Sequence, residues 1–358
     1  MEDRSTLAAV GDIFLGRRVE ETIRRRGPGH IFGLVAPFLL GNDVVFGNLE
    51  SPISNVSVGQ GTTGLIARPA ALDELKAAGF NAVSIANNHI MDFGPGGLQD
   101  TITELEKRGI GYAGAGLNPL DAQRPLRQVG GAHVTLLSYY GMGGGASGES
   151  GGPNGGDTSK VLRDIRDARD RADIVLISMH WGRGTSLPMR HQVEFAHQMV
   201  DQGAHVILGS GPHFVQPVER YKGGVIAYSL GNFVFDSNAN AKKRSMILHV
   251  SFSNGNVENV SATPIYISAE YRPEPLDPGT DAATYQAIQA LLVQRLDSLE
   301  SDAGLVPDLW RKGLTPMAVL KKIMLPGQRA YPLSYYLGGL GDLIREKWFA
   351  RREPRSDD

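Results

Sequence analysis

The chain has 358 residues, 36 Lys+Arg against 38 Asp+Glu for a formal net charge of −2, and no cysteine. Balanced charge argues against a nucleic-acid binder, which needs a basic face to displace phosphate counterions. The missing thiols exclude disulfide staples, thiolate metal sites, cysteine nucleophiles and iron–sulfur clusters.

In chain order, residues 1–12 are polar and acidic around a short apolar run and lack the apolar core of a signal peptide. No stretch approaches the ~20 apolar residues that span a bilayer, so no membrane span and a cytoplasmic location are expected. Apolar runs rich in Val and Ile recur at 7–10, 43–47, 81–86, 133–140, 173–179, 205–209 and 225–230. They are continuous rather than alternating, which suits strands covered on both faces. Segments with helical spacing separate them at 69–80, 96–110, 158–173 and 190–205. The first opens with Pro69 and ends at Gly79, and the second stops at Gly109, as helix starts and stops do. This alternation predicts an α/β domain of layered helices and sheets.

The basic runs at 24–26 and 242–244 read as solvated surface. Glycine is in excess, with 45 residues against a usual share of about 7 %. It concentrates in 141–157, which reads either as a surface loop or as a mobile lid with backbone N–H groups facing an anion. Alternation around Asn254-Gly255 predicts a hairpin. Helical spacing over 281–349 predicts a C-terminal appendage, giving domains at 1–272 and 273–358. Through these helices the chain is expected to contact a partner protein or a second copy of itself.

In open α/β sheets, ligands bind beyond the carboxyl ends of the strands. The successive run ends supply Asp12, then Asn48 and Glu50, which share one face of an extended chain. They continue with Asn87, Asn88 and His89, Asp92 just beyond, then His180 and Trp181, then His213, and finally Asn232. Asp12, Glu50, His89 and His180 are the candidate catalytic groups, with Asn48, Asn87, Asp92, Trp181 and Asn232 as substrate-binding neighbours. Hard oxygen and imidazole donors suit Mn, Fe, Zn or Mg, and the same groups suit acid–base chemistry without a metal. His30, His133, His191, His197, His205 and His249 read as structural.

Six stretches carry a family resemblance: GDIFLGR (11–17), FGNLESPIS (46–54), FNAVSIANNHIMDFGPGGLQDT (80–101), HWG (180–182), GPHFVQPVE (211–219) and YSLGNFVFD (228–236). In this order they resemble the CapA/PgsA family of poly-γ-glutamate capsule biosynthesis proteins, a branch of the calcineurin-like metallophosphoesterase fold. The resemblance covers about residues 7–270. It implies a four-layer α/β/β/α sandwich with a site at the sheet edge. It also implies a metal set of Asp12, Glu50, Asn88, His180 and His213, with Glu50 bridging two ions, and His89 as general acid. Three features depart from the family pattern: Ser210 and Gly211 stand where a histidine is usual before Pro212-His213, Asp12 is followed by Ile13-Phe14 rather than Asp-x-His, and Arg183-Gly184-Thr185 replaces a glutamate.

The expected cofactor is therefore none or a weakly bound divalent metal, and the expected substrate a peptide or polyglutamate-like chain. Three functions follow. The first is acid–base chemistry at a depleted metal site, such as epimerisation at a peptide Cα. The second is a divalent-metal-dependent phosphoesterase or amide hydrolase. The third is a non-catalytic scaffold that binds a polymer or partner.

Overall fold

The computed structural model describes residues 4–56, 64–141, 151–172, 174–181, 187–237 and 239–292. Two sheets face each other. The first runs in the order Pro273–Pro275, Asn256–Ile267, Arg244–Ser253, Arg4–Ile13, Val44–Leu49, Ala82–Ser84, Gly111–Ala113, and the short strand Asn232–Val234 pairs beside Arg4–Ile13. The second runs Val218–Tyr221, Gly224–Ala227, Val206–Ser210, Ile174–His180, Ala132–Tyr140, Leu126–Val129. The inner strands of each sheet are parallel, and antiparallel pairs close every margin except that of Gly111–Ala113, which pairs in parallel.

The two-residue period of a strand explains why the apolar runs are continuous. In the first strand, Leu7 and Ala9 point into a core between the sheets, with Phe46, Val134, Leu176 and Leu208. Ala8 and Val10 point the other way, into a core with Leu72, Leu75, Leu98 and Leu105 from helices Ala71–Ala77 and Gly94–Lys107. The outer face of the second sheet buries Val175, Ile177 and Met179 on the side of helices Thr158–Arg169 and Arg190–Gln202, whose Val161, Ile165, Phe195 and Met199 are also buried. The result is a four-layer α/β/β/α sandwich.

The hairpin at 254–255 forms as the sequence implies, with Asn254 and Gly255 both at positive φ (49° and 74°) between Arg244–Ser253 and Asn256–Ile267. The helix expected over 158–173 ends at Arg169. The basic run at 24–26 closes a helix the apolar pattern did not announce, Arg18–Arg26, and the guanidinium groups of Arg25 and Arg26 reach Glu270.

Strand Pro273–Pro275 and helix Ala282–Gln289 continue the first body past residue 272, because Leu276, Ile288, Leu291 and Leu292 pack on the inter-sheet core. By internal contacts the chain divides into Met1–Ser298 and Leu299–Asp358. The helices expected beyond 298 and the glycine stretch 142–150 lie outside the described residues. Among the described residues no helix is long and apolar enough to cross a membrane.

Candidate active site

The parallel strands of both sheets end at one place. Asp12 lies near the end of the first strand, where the register shifts against both neighbouring strands; such bulges re-aim side chains beside functional sites. Gly11 makes this possible, since a Cβ there would stand 1.8 Å from the Gly231 carbonyl oxygen that the Asp12 N–H bonds at 2.9 Å. Glu50 follows strand Val44–Leu49, and its N–H bonds the Ile13 carbonyl. His180 closes strand Ile174–His180, and Ser210 closes Val206–Ser210. His213 follows in a left-handed conformation, φ 62°, rare for a residue other than glycine.

Asp12, Glu50 and His180 are all buried, and one ligand atom from each lies within 4.8 Å of the other two. Asn48 braces them. Its Nδ2 donates to Asp12 Oδ1 at 2.9 Å and Glu50 Oε2 at 3.2 Å, and lies 3.4 Å from His180 Nδ1. The Ser210 hydroxyl approaches the same nitrogen at 3.0 Å. His213 Nδ1 lies 3.0 Å from both Asp12 Oδ2 and Asn232 Oδ1, and its Nε2 is 3.8 Å from Glu50 Oε1.

The electrostatics separate the two acids. Burial pushes the Asp12 carboxyl up, but the His213 hydrogen bond, the His213 and His180 charges and the Asn48 bond together hold it below the ordinary carboxylate range. Glu50 is raised well above that range, by burial first and then by the negative charge of Asp12. Burial, reinforced by His213 and His89 against the pull of Asp12, lowers His180 to about 4, so its ring is neutral near pH 7. Glu50 Oε1 is buried without a hydrogen-bond partner. A neutral imidazole, two carboxylates and an orphaned oxygen make a fitting donor set for one hard divalent cation.

His89 stands at the edge of this cluster. Its Nδ1 lies 2.9 Å from Asp92 Oδ2, which also accepts the Leu65 N–H at 2.7 Å, and its side chain is 28 % exposed, open to a ligand from solution. Asn87 is buried and ties the loops, donating to Leu49 O and Asn48 Oδ1 while accepting the His89 N–H. Asn88 is exposed and makes no hydrogen bond to the cluster among the described residues. Trp181 is 2 % exposed, donates its indole N–H to the Tyr228 carbonyl and stacks on the Tyr228 ring, so it faces the core. Segment 182–186 lies outside the described residues.

Four of the remaining six histidines pair locally: His30 with Glu270, His197 with Glu219, His205 with the Val175 N–H, and His249 with Thr263. Lys242 is the residue the sequence reading missed. Its run was expected to be solvated surface, yet it is half-buried and electrostatically coupled to Asp12 and Glu50. The available signal was its place shortly after the 228–236 motif.

Residues 6–237 match the family model described as bacterial capsule synthesis protein PGA_cap. Capsule biosynthesis protein CapA of Bacillus anthracis is 33 % identical over 293 residues, covering 78 % of this chain and 71 % of that one. PGA biosynthesis protein CapA of Bacillus subtilis is 33 % identical over 284 residues, covering 77 % and 74 %. A solved structure described as a novel phosphatase from Mycoplasma pneumoniae aligns over 78 % of this chain and 99 % of that one, at 14 % identity and a TM-score of 0.49.

Proposed function

The chain belongs to the bacterial capsule synthesis protein PGA_cap family, and from that premise we propose that it is an enzyme of poly-γ-glutamate capsule metabolism that cleaves an amide bond of a glutamyl chain with one divalent cation. The observation that carries this reading is the buried Asp12–Glu50–His180 cluster, whose ligand atoms lie within 4.8 Å of one another, with Glu50 Oε1 lacking a hydrogen-bond partner among the described residues. When bound, such a cation supplies Lewis-acid polarisation of a carbonyl oxygen and a lowered pKa for water. Asp12, Glu50 and His180 would hold it, with His213 adjacent through Asp12 and Glu50.

His89 acts from outside the cluster. Asp92 holds Nδ1, which leaves Nε2 turned away from that carboxylate. As imidazolium, His89 gives its Nε2 proton to the amide nitrogen while the C–N bond breaks, so that the amine leaves neutral. The net reaction consumes one water and yields a carboxylic acid and an amine.

The opposed pKa values of Asp12 and Glu50 favour a second reading. One acid ionised and its neighbour protonated form a base–acid pair that could remove and return a proton at a peptide Cα without a metal.

Elemental analysis of untagged protein purified without chelators decides between them. The first reading expects about one Mn, Fe or Zn per chain, cleavage of γ-linked glutamate oligomers that EDTA abolishes, and a ~10²–10⁴-fold loss of kcat in His89→Ala. Metal content near zero after soaking, together with deuterium uptake at Cα in heavy water, would replace it with the second. Biological function unchanged in Asp12→Asn and His89→Ala would overturn both and leave a binding scaffold.

A further inference from the structure

Lys242 sits in the short 3-10 turn Asn240–Lys243, which leads into strand Arg244–Ser253. Its backbone is fastened to the site, because its carbonyl accepts the Asn232 Nδ2 hydrogen bond at 3.3 Å while Asn232 Oδ1 holds His213 Nδ1. Its ammonium lies 5.8 Å from the centroid of the Phe214 ring, next along the chain from His213. Burial lowers its pKa, and the charges of Asp12 and Glu50 oppose that. Even so, it makes no hydrogen bond or ion pair among the described residues. An ammonium offers three donors and no acceptor, and a half-buried one without an oxygen partner leaves that capacity open. A lysine needed only for stability would close onto a carboxylate, as Lys160 does on Asp164 and Lys222 on Asp201.

We propose that Lys242 is an anion-binding residue of this site, using its ammonium to hold a carboxylate or phosphate oxygen of the substrate beside the Asp12–Glu50–His180 cluster. The Phe214 ring steadies the cation through its face, and Asp12 and Glu50 offset part of the burial penalty on its charge. A bound oxyanion supplies the acceptors that the protein itself does not. The assignment deepens the glutamyl-chain reading above and rests on it for the choice of carboxylate, since every residue of such a chain carries one free carboxylate.

The test is calorimetric titration of the full-length protein with three probes: γ-linked hexaglutamate, inorganic phosphate, and neutral γ-linked hexaglutamine. Lys242→Met is expected to weaken binding of an anionic probe by about tenfold or more, while Lys242→Arg stays within about threefold of the wild type. Lys222→Met, an equal charge change at a remote ion pair, should match the wild type. Salt should weaken anion binding in the wild type more steeply than in Lys242→Met. The proposal is overturned if Lys242→Met binds both anions like the wild type, if hexaglutamine loses affinity equally, or if the wild type binds neither anion. Phosphate binding that depends on Lys242, with no binding of hexaglutamate, would uphold Lys242 and sink the glutamyl-chain reading.

Discussion

Glu50 is where the chemistry of single residues is most exposed. Its Oε1 has no hydrogen-bond partner among the described residues, Asn48 bonds its other oxygen, and burial with the Asp12 charge raises its pKa well above normal. An uncharged isostere should therefore fold at least as well as the native acid. Glu50→Gln is expected to keep the wild-type urea midpoint while the bound metal falls by about tenfold or more, because a cation site requires the ionised carboxylate. Elemental analysis and a denaturation curve on the same preparation check both halves. A loss of stability with unchanged metal would place Glu50 in the fold rather than the site. Asn48 differs in kind, since one amide nitrogen serves two carboxylates beside His180. Asn87 braces it from the next strand end.

Two places in the first sheet show how an element can be dictated locally or only by its neighbours. The hairpin between Arg244–Ser253 and Asn256–Ile267 turns on two residues of positive φ, Asn254 at 49° and Gly255 at 74°. A primed turn matches the right-handed twist of its strands, and Asn-Gly is the dipeptide that tolerates it. Gly255→Ala should cost about 1 kcal/mol, the penalty for a Cβ in the left-handed region, measured as a shift in urea midpoint at unchanged slope. Gly11 is a different case. Nothing nearby in sequence marks it as obligatory, yet the Gly231 carbonyl occupies the space a side chain would need.

At the scale of the whole molecule, the two sheets share one core and bury partly polar groups along the way. His205 accepts the Val175 N–H between strands of the second sheet, and His249 meets Thr263 across the hairpin. Burial holds both below the ordinary histidine pKa. The sign follows directly. As pH falls below about 6.5, the unfolded chain takes up protons that the folded rings refuse, so stability declines on acidification. Neutral His180 pulls the same way, over the interval from about 6.5 down to about 4. The urea midpoint should drop between pH 7.5 and 5.5, and His205→Asn should reduce the drop. An equal drop in the variant would remove His205 from the account.

The sequence alone determined the class of the fold and pointed to most residues of the candidate site. Continuous apolar runs separated by helical spacing require strands covered on both faces, and polar residues at run ends of a parallel sheet gather at one edge. Asp12, Glu50 and His180 were legible on that ground, as was the hairpin at Asn254-Gly255. Tertiary structure alone decided three things. It turned Trp181 into the core, since a large aromatic beside a strand end goes wherever its indole N–H finds an acceptor, here Tyr228. It made Asn87 rather than Asn88 the bonded member of its pair, because which residue of a loop points inward depends on the neighbouring strand end. And it drew Lys242 out of a basic run into a half-buried place beside Phe214, where the charges of Asp12 and Glu50 reach it. Burial and the summed field of distant charges are properties of assembled chain segments, and residue order along one of them does not encode which others will arrive beside it.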